Sequence, residues 1–187
     1  MLAAMPPVHS NLMALGTPAP AFSLPATDGK TYSLESFREA KALVVVFTCN
    51  HCPYANAVED RLLVLAREYA AKGVAVVGIN PNDAVKYPAD SFEAMKARAA
   101  EKGYTFPYLR DESQEVARAF NAACTPDIFV FDGARALVYN GQLDDNWKDA
   151  SAVTRHDLRL VLDATLAGTK VAFDHAPAMG CSIKWKS

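Results

Sequence analysis

The 187-residue chain is 51% hydrophobic and 21% charged, with a formal charge of −2 at pH 7; this suits a single α/β domain over residues 1–187 and leaves no basic field for nucleic acid. Residues 1–16 contain neither Lys nor Arg and no long apolar run, so they resemble neither a secretory leader nor a membrane anchor, and the expected location is cytoplasmic. There the four cysteines are thiols, and a disulfide among them is transient and catalytic rather than a staple.

In chain order, residues 1–15 read as a mobile, Pro-rich arm. Residues 21–25 and 31–34 flank the turn Asp28-Gly29-Lys30 and predict a small N-terminal β-hairpin, with a short helix expected over 36–40. The run Leu43-Val44-Val45-Val46-Phe47 is the pattern of a strand buried on both faces. Val58, Leu62, Leu65 and Tyr69 then recur at helical spacing until Lys72-Gly73 ends the helix.

Residues 74–79 form the next buried strand, and 80–90, with Pro, Asn and Asp, form a loop. Ser91 caps a helix that turns Phe92, Met95 and Ala99 inward. A short strand at 107–109 and a short helix at 113–121 follow. A hairpin pairs 128–131 with 137–139 through Asp132-Gly133-Ala134-Arg135, and Thr154 caps a helix that ends at Gly168. Residues 170–187 are a C-terminal tail. Strands alternating with helices imply βαβ crossovers, and the late hairpin adds antiparallel strands to a mixed sheet.

The chemistry concentrates at Cys49-Asn50-His51-Cys52, between the buried strand and the helix. Two cysteines three positions apart at a helix start lie on one face, close enough for their sulfurs to bond. The free N–H groups and partial positive charge of the first turn stabilise a thiolate, the attacking species in disulfide exchange. This reads as a reversible redox pair, against a zinc site, inert buried cysteines or a permanent disulfide. A zinc site usually pairs two such motifs, and the chain has one. His51, if charged, would stabilise a neighbouring thiolate and make the pair more oxidising; a solvent-facing ring would do neither. Pro53 suits the first helical turn.

Several stretches resemble known proteins. The Cys49-x-x-Cys52 junction, Cys124-Thr125-Pro126-Asp127 before the apolar strand, the opening Gly16-x-Pro18-x-Pro20-x-Phe22-x-Leu24 and Asp28-Gly29 resemble the thioredoxin-like redoxin (AhpC/TSA-type) superfamily. More narrowly, Cys49-Asn50-His51-Cys52-Pro53-Tyr54, Gly141-Gln142-Leu143-Asp144-Asp145 and the tail Gly180-Cys181-Ser182-Ile183-Lys184-Trp185-Lys186 resemble a poorly characterised bacterial subfamily. The resemblance implies a thioredoxin-like α/β fold with a central mixed sheet flanked by helices. It implies a cis Pro126 facing the cysteine pair and a Thr125 backbone that hydrogen-bonds an extended substrate. It also implies that Cys49 is the exposed nucleophile and that Cys52 resolves the mixed disulfide.

The expected function is thiol–disulfide oxidoreductase, with Cys49, Cys52 and His51 catalytic, Thr125 and Pro126 binding substrate, and no metal or other cofactor. Its partners would be disulfide-containing proteins or small thiols and an electron donor, with no nucleic acid or membrane. Cys124 is a candidate auxiliary thiol or a small core residue, and Cys181 a tail anchor, a resolving thiol or an exposed side chain. An acid near the buried cysteine would take its proton; Glu59 and Asp60 read as solvated charges, and Asp144 and Asp145 as turn residues.

Two other functions remain open. A peroxiredoxin-like peroxidase would place Cys49 in the hydroxyl position of that family's motif and make Cys52 peroxidatic. It would also need an arginine at the sulfur, for which Arg110, Arg118 and Arg135 are the nearest candidates. A non-catalytic module would hold a soft metal with Cys49, Cys52 and either His51 or Cys124.

Overall fold

The computed structural model describes residues 6–187, and in it the apolar run after Lys41 becomes the middle strand of a sheet. The elements in chain order are β1 (Val8–His9), β2 (Ser23–Pro25), β3 (Thr31–Ser33), β4 (Ala42–Phe47), α1 (Pro53–Ala70), β5 (Val74–Asn80) and α2 (Phe92–Lys102). They continue with β6 (Tyr108–Arg110), α3 (Glu115–Ala119), β7 (Cys124–Thr125), β8 (Asp127–Asp132), β9 (Leu137–Gly141), α4 (Asp157–Leu166) and β10 (Met179–Ser182). The central sheet has the order β6-β5-β4-β8-β9; β4, β5 and β6 are parallel, while β8 and β9 run antiparallel. It is the expected mixed sheet flanked by helices, and the fold is thioredoxin-like.

Every residue of β4 is buried because its alternating side chains serve two cores. Leu43, Val45 and Phe47 join Val77, Ile79, Phe120, Phe129 and the N-terminal hairpin's Phe22 and Leu24 on one face. Val44 and Val46 meet Val58, Leu62 and Leu65 of α1 and Leu158, Val161 and Leu162 of α4 on the other. At about 1.5–3 kcal/mol for each fully buried side chain of this size, these layers hold rigid the strand end from which the cysteine motif departs.

The structure corrects several local expectations. Ser91 caps α2 by accepting the Ala94 N–H at 3.2 Å, but of its three inward candidates only Met95 is buried, because α2 packs at the edge strand β6. Thr154 caps nothing: its hydroxyl is taken by the Asp145 carboxylate, and α4 starts at Asp157.

The expected mobile arm over 1–15 lies outside the described residues at 1–5. Beyond them it is tied down: Val8 and His9 pair with Gly180 and Met179, and Gly16 N donates to Leu137 O at 2.8 Å. Within the C-terminal tail, Met179–Ser182 form β10 between β1 and β7. Among the described residues no helix is long and apolar enough to cross a membrane.

Candidate redox site

β4 delivers the motif to the edge of the core. Thr48 N still bonds Ile79 O at 2.9 Å, continuing the sheet, before Cys49 leaves it. Cys52 is in extended conformation immediately before α1, and Pro53 occupies the first helical position as expected. Both cysteines are free thiols. The Thr125–Pro126 peptide is cis, and Thr125 faces the pair, its Oγ1 lying 3.3 Å from Cys49 Sγ and its carbonyl 3.1 Å from Cys52 Sγ. Cys49 is not the exposed thiol expected: it is 5% exposed and Cys52 0%.

The two sulfurs hold charge unequally. The hydrogen bond from Cys49 does most to lower the Cys52 pKa, to about 5, against the opposing effect of burial, with the Cys181 thiol and the N–H groups of Ala55 and Cys181 adding to it. The same Cys52 hydrogen bond, then burial and the Asp90 charge, push the Cys49 thiol well up. These groups favour the anion on Cys52, where the sequence points to Cys49, while a protonated Cys52 donates to the Thr125 carbonyl.

His51 is anchored by a group that sequence reasoning could not name. Its Nδ1 hydrogen-bonds the Asp90 carboxylate, and its ring stacks on Tyr87 with centroids 5.1 Å apart. Asp90 is wholly buried and accepts bonds from Asn50 N at 2.7 Å, Asn82 Nδ2 at 2.9 Å and Asn80 Nδ2 at 3.2 Å. Burial raises its pKa, but the bonds from His51, Asn82 and Asn50 outweigh that and hold the carboxyl below its usual range. Tyr108 donates to Asn50 Oδ1 at 3.0 Å, completing a polar wall behind the motif.

Cys49 Sγ, a His51 ring nitrogen and an Asp90 oxygen lie within 4.8 Å of one another, a donor set suited to zinc. A cation there must compete with the N–H donors that already fill the Asp90 oxygens.

Cys124 is not part of the thiol cluster. It is adjacent to Thr125 on β7 and faces the other way, its thiol 3.6 Å from Pro126 O, and burial raises its pKa. Cys181 is the additional thiol beside the pair, packed against Cys49, Cys52 and Ala55. The Thr125 edge, expected to be open to substrate, is covered by β10, with Cys181 opposite Thr125 in register.

The candidate arginines are engaged elsewhere: Arg110 with Glu112 at 2.8 Å, Arg118 over the Trp185 ring at 4.4 Å, and Arg135 with the Ala40 carbonyl at 3.1 Å. Glu59, expected to be solvated, is buried and bound to Arg98 at 2.6 Å and Tyr104 at 2.7 Å. Asp144 is likewise buried against Arg61 at 2.5 Å. Sequence reasoning missed Asn80, Asn82 and Asp90 because a loop label hides which polar residues turn inward, and Tyr108 because its strand says nothing of what its hydroxyl meets. The only signal was the unusual density of Asn and Asp at the end of a buried strand.

The Redoxin family matches residues 14–158 of this chain. "Thiol:disulfide interchange protein DsbE" from Pseudomonas fluorescens biotype C is 31% identical over 148 residues, covering 74% of each chain. "Putative peroxiredoxin MT2597" from Mycobacterium tuberculosis is 30% identical over 107 residues, 57% of this chain; the match spans 63% of that protein, less than two thirds of its length. A crystal structure described as an uncharacterized conserved protein from Geobacillus kaustophilus superposes with a TM-score of 0.94 at 49% identity, covering 98% of both chains.

Proposed function

The chain belongs to the Redoxin family, and from that premise we propose that it is a thiol–disulfide oxidoreductase cycling Cys49 and Cys52 between dithiol and disulfide. The observation that carries this reading is two free thiols packed together just before α1, both against Thr125 of the cis Thr125–Pro126 turn. The reduced pair starts as a Cys49 thiol and a Cys52 thiolate. Proton transfer between the sulfurs gives a Cys49 thiolate, the less buried of the two, which attacks a substrate disulfide and expels one substrate thiolate. Cys52 then gives its proton to that leaving group and attacks the Cys49 sulfur. The product is an enzyme disulfide and a second substrate thiolate.

His51, held by Asp90, is a cation beside Cys49 when protonated and lowers the cost of moving charge there. Substrates are disulfide-containing proteins or small disulfides in the cytoplasm, and an external thiol returns the electrons.

One observation favours a second reading. Cys49 favours charge on the Cys52 sulfur, as the hydroxyl partner of a peroxidatic cysteine would, but no arginine among those considered reaches the sulfur. Assaying disulfide reduction and hydroperoxide consumption side by side in wild type, Cys49→Ser and Cys52→Ser separates the two. Disulfide turnover lost in both variants supports exchange. Full disulfide turnover in Cys49→Ser removes its nucleophile, and hydroperoxide turnover that survives Cys49→Ser but not Cys52→Ser establishes the peroxidase.

A further inference from the structure

The C-terminal strand lies where an extended substrate was expected. β10 pairs antiparallel with β7, Cys181 opposite Thr125 and Ser182 opposite Cys124. Gly180 makes the approach possible: a Cβ there would overlap the Thr125 carbonyl and lie 3.1 Å from Pro126 N. Cys181 packs on the redox pair, and its thiol and N–H both favour charge on the Cys52 sulfur.

The strand is pinned on both sides of this contact. Upstream, Ser10 N donates to Ala178 O at 2.9 Å, and Ala178 N donates to Ser10 Oγ at 2.9 Å. Downstream, Ile183 is 3% exposed, and Lys184 O accepts Asp83 N at 2.8 Å and Gln114 Nε2 at 2.9 Å. Of the three clustered thiols, Cys181 is the one with appreciable solvent access.

We propose that β10 is a built-in substrate strand and that Cys181 is a third redox thiol, which takes over the disulfide from Cys49 and Cys52 as a Cys52–Cys181 bond. This rests on the exchange reading above. The Cys181 thiol gives up its proton and its sulfur attacks Cys52; the Cys49–Cys52 bond breaks with its electron pair on Cys49, and Cys49 takes up the proton. No electrons enter or leave, so the step needs no further oxidant. An external thiol then attacks Cys181, the sulfur within its reach, displaces Cys52, and a second external thiol releases Cys181. Because both strand ends are fixed before reaction, the transfer loses little translational or rotational freedom.

Tryptic mapping tests this on the full chain. The reduced protein is treated with oxidised glutathione, quenched in acid over a time course, alkylated and digested. Cleavage leaves Cys49 and Cys52 in one peptide and Cys181 in another, so the relay appears as a cross-link between them. The link is expected in wild type, is expected to accumulate in Cys49→Ser and is absent from Cys52→Ser.

If wild type forms only the Cys49–Cys52 disulfide, with Cys181 alkylated at every time, the relay is wrong and exchange stands. If neither bond forms and no disulfide substrate is turned over, the exchange reading has failed and the relay with it. In Cys181→Ser, reduction of the Cys49–Cys52 disulfide by glutathione is expected to slow about tenfold or more, since the attacking thiol must then reach a buried sulfur; an unchanged rate refutes the route through the tail.

Discussion

Substituting the two thiols one at a time tests where the reduced pair keeps its charge. In Cys49→Ser a hydroxyl replaces the donor, and the Ala55 and Cys181 groups still face Cys52, so a thiolate persists well below neutrality. In Cys52→Ser the remaining Cys49 is buried and near the Asp90 charge, both of which oppose ionisation, so it stays protonated through neutral pH. In wild type the Cys52 value falls from 9.0 to about 5.

At pH 7 an ordinary thiol is itself protonated, so only about two of those pH units count, on the order of 3 kcal/mol in favour of the reduced state. Against the disulfide this makes the pair more oxidising by roughly 60 mV. Because the folded pKa is the depressed one, this stabilisation of the reduced protein is complete above the unfolded thiol's value and is lost as pH falls toward about 5. The oxidised protein has no such thiolate and lacks this pH dependence. Thiolate ultraviolet absorbance against pH in both variants, with a glutathione redox equilibrium for wild type, measures each quantity. A Cys52→Ser protein that ionises below neutrality, beside a Cys49→Ser protein that does not, would reverse the assignment.

Two other substitutions probe the surroundings of the pair. Asp90→Asn removes the buried charge that binds His51 and three N–H donors; a loss of about 3 kcal/mol corresponds to a drop of roughly 6–12 °C in Tm for a protein of this size, and an unchanged Tm by calorimetry would show that the network contributes little to stability. Gly180→Ala drives a methyl into the Thr125 carbonyl, so β10 lifts and alkylation of Cys49 and Cys52 accelerates about tenfold or more. The far-ultraviolet circular dichroism stays native, and an unaltered alkylation rate would mean that the strand is not what closes the site.

The fold was legible where one physical rule dominated. The run at 43–47 gave a strand buried on both faces, and the apolar period from Val58 to Tyr69 gave α1, because periodicity and burial are local properties of the chain. The cysteine pair was legible for the same reason: spacing and position before a helix require no distant partner. Glu59 was misread because its neighbours in sequence are solvated, while Arg98 and Tyr104, which bury it, come from elements far along the chain.

By itself the sequence determined the strand–motif–helix junction and with it the two sulfurs, since backbone geometry alone brings residues three apart onto one side. Tertiary structure decided which sulfur is ionised, what holds His51 and what covers the site. Those answers depend on Asp90, Thr125 and Cys181, which reach the motif from remote parts of the chain. Charge placement in a buried site depends on distance and desolvation, and neither is encoded by separation along the sequence.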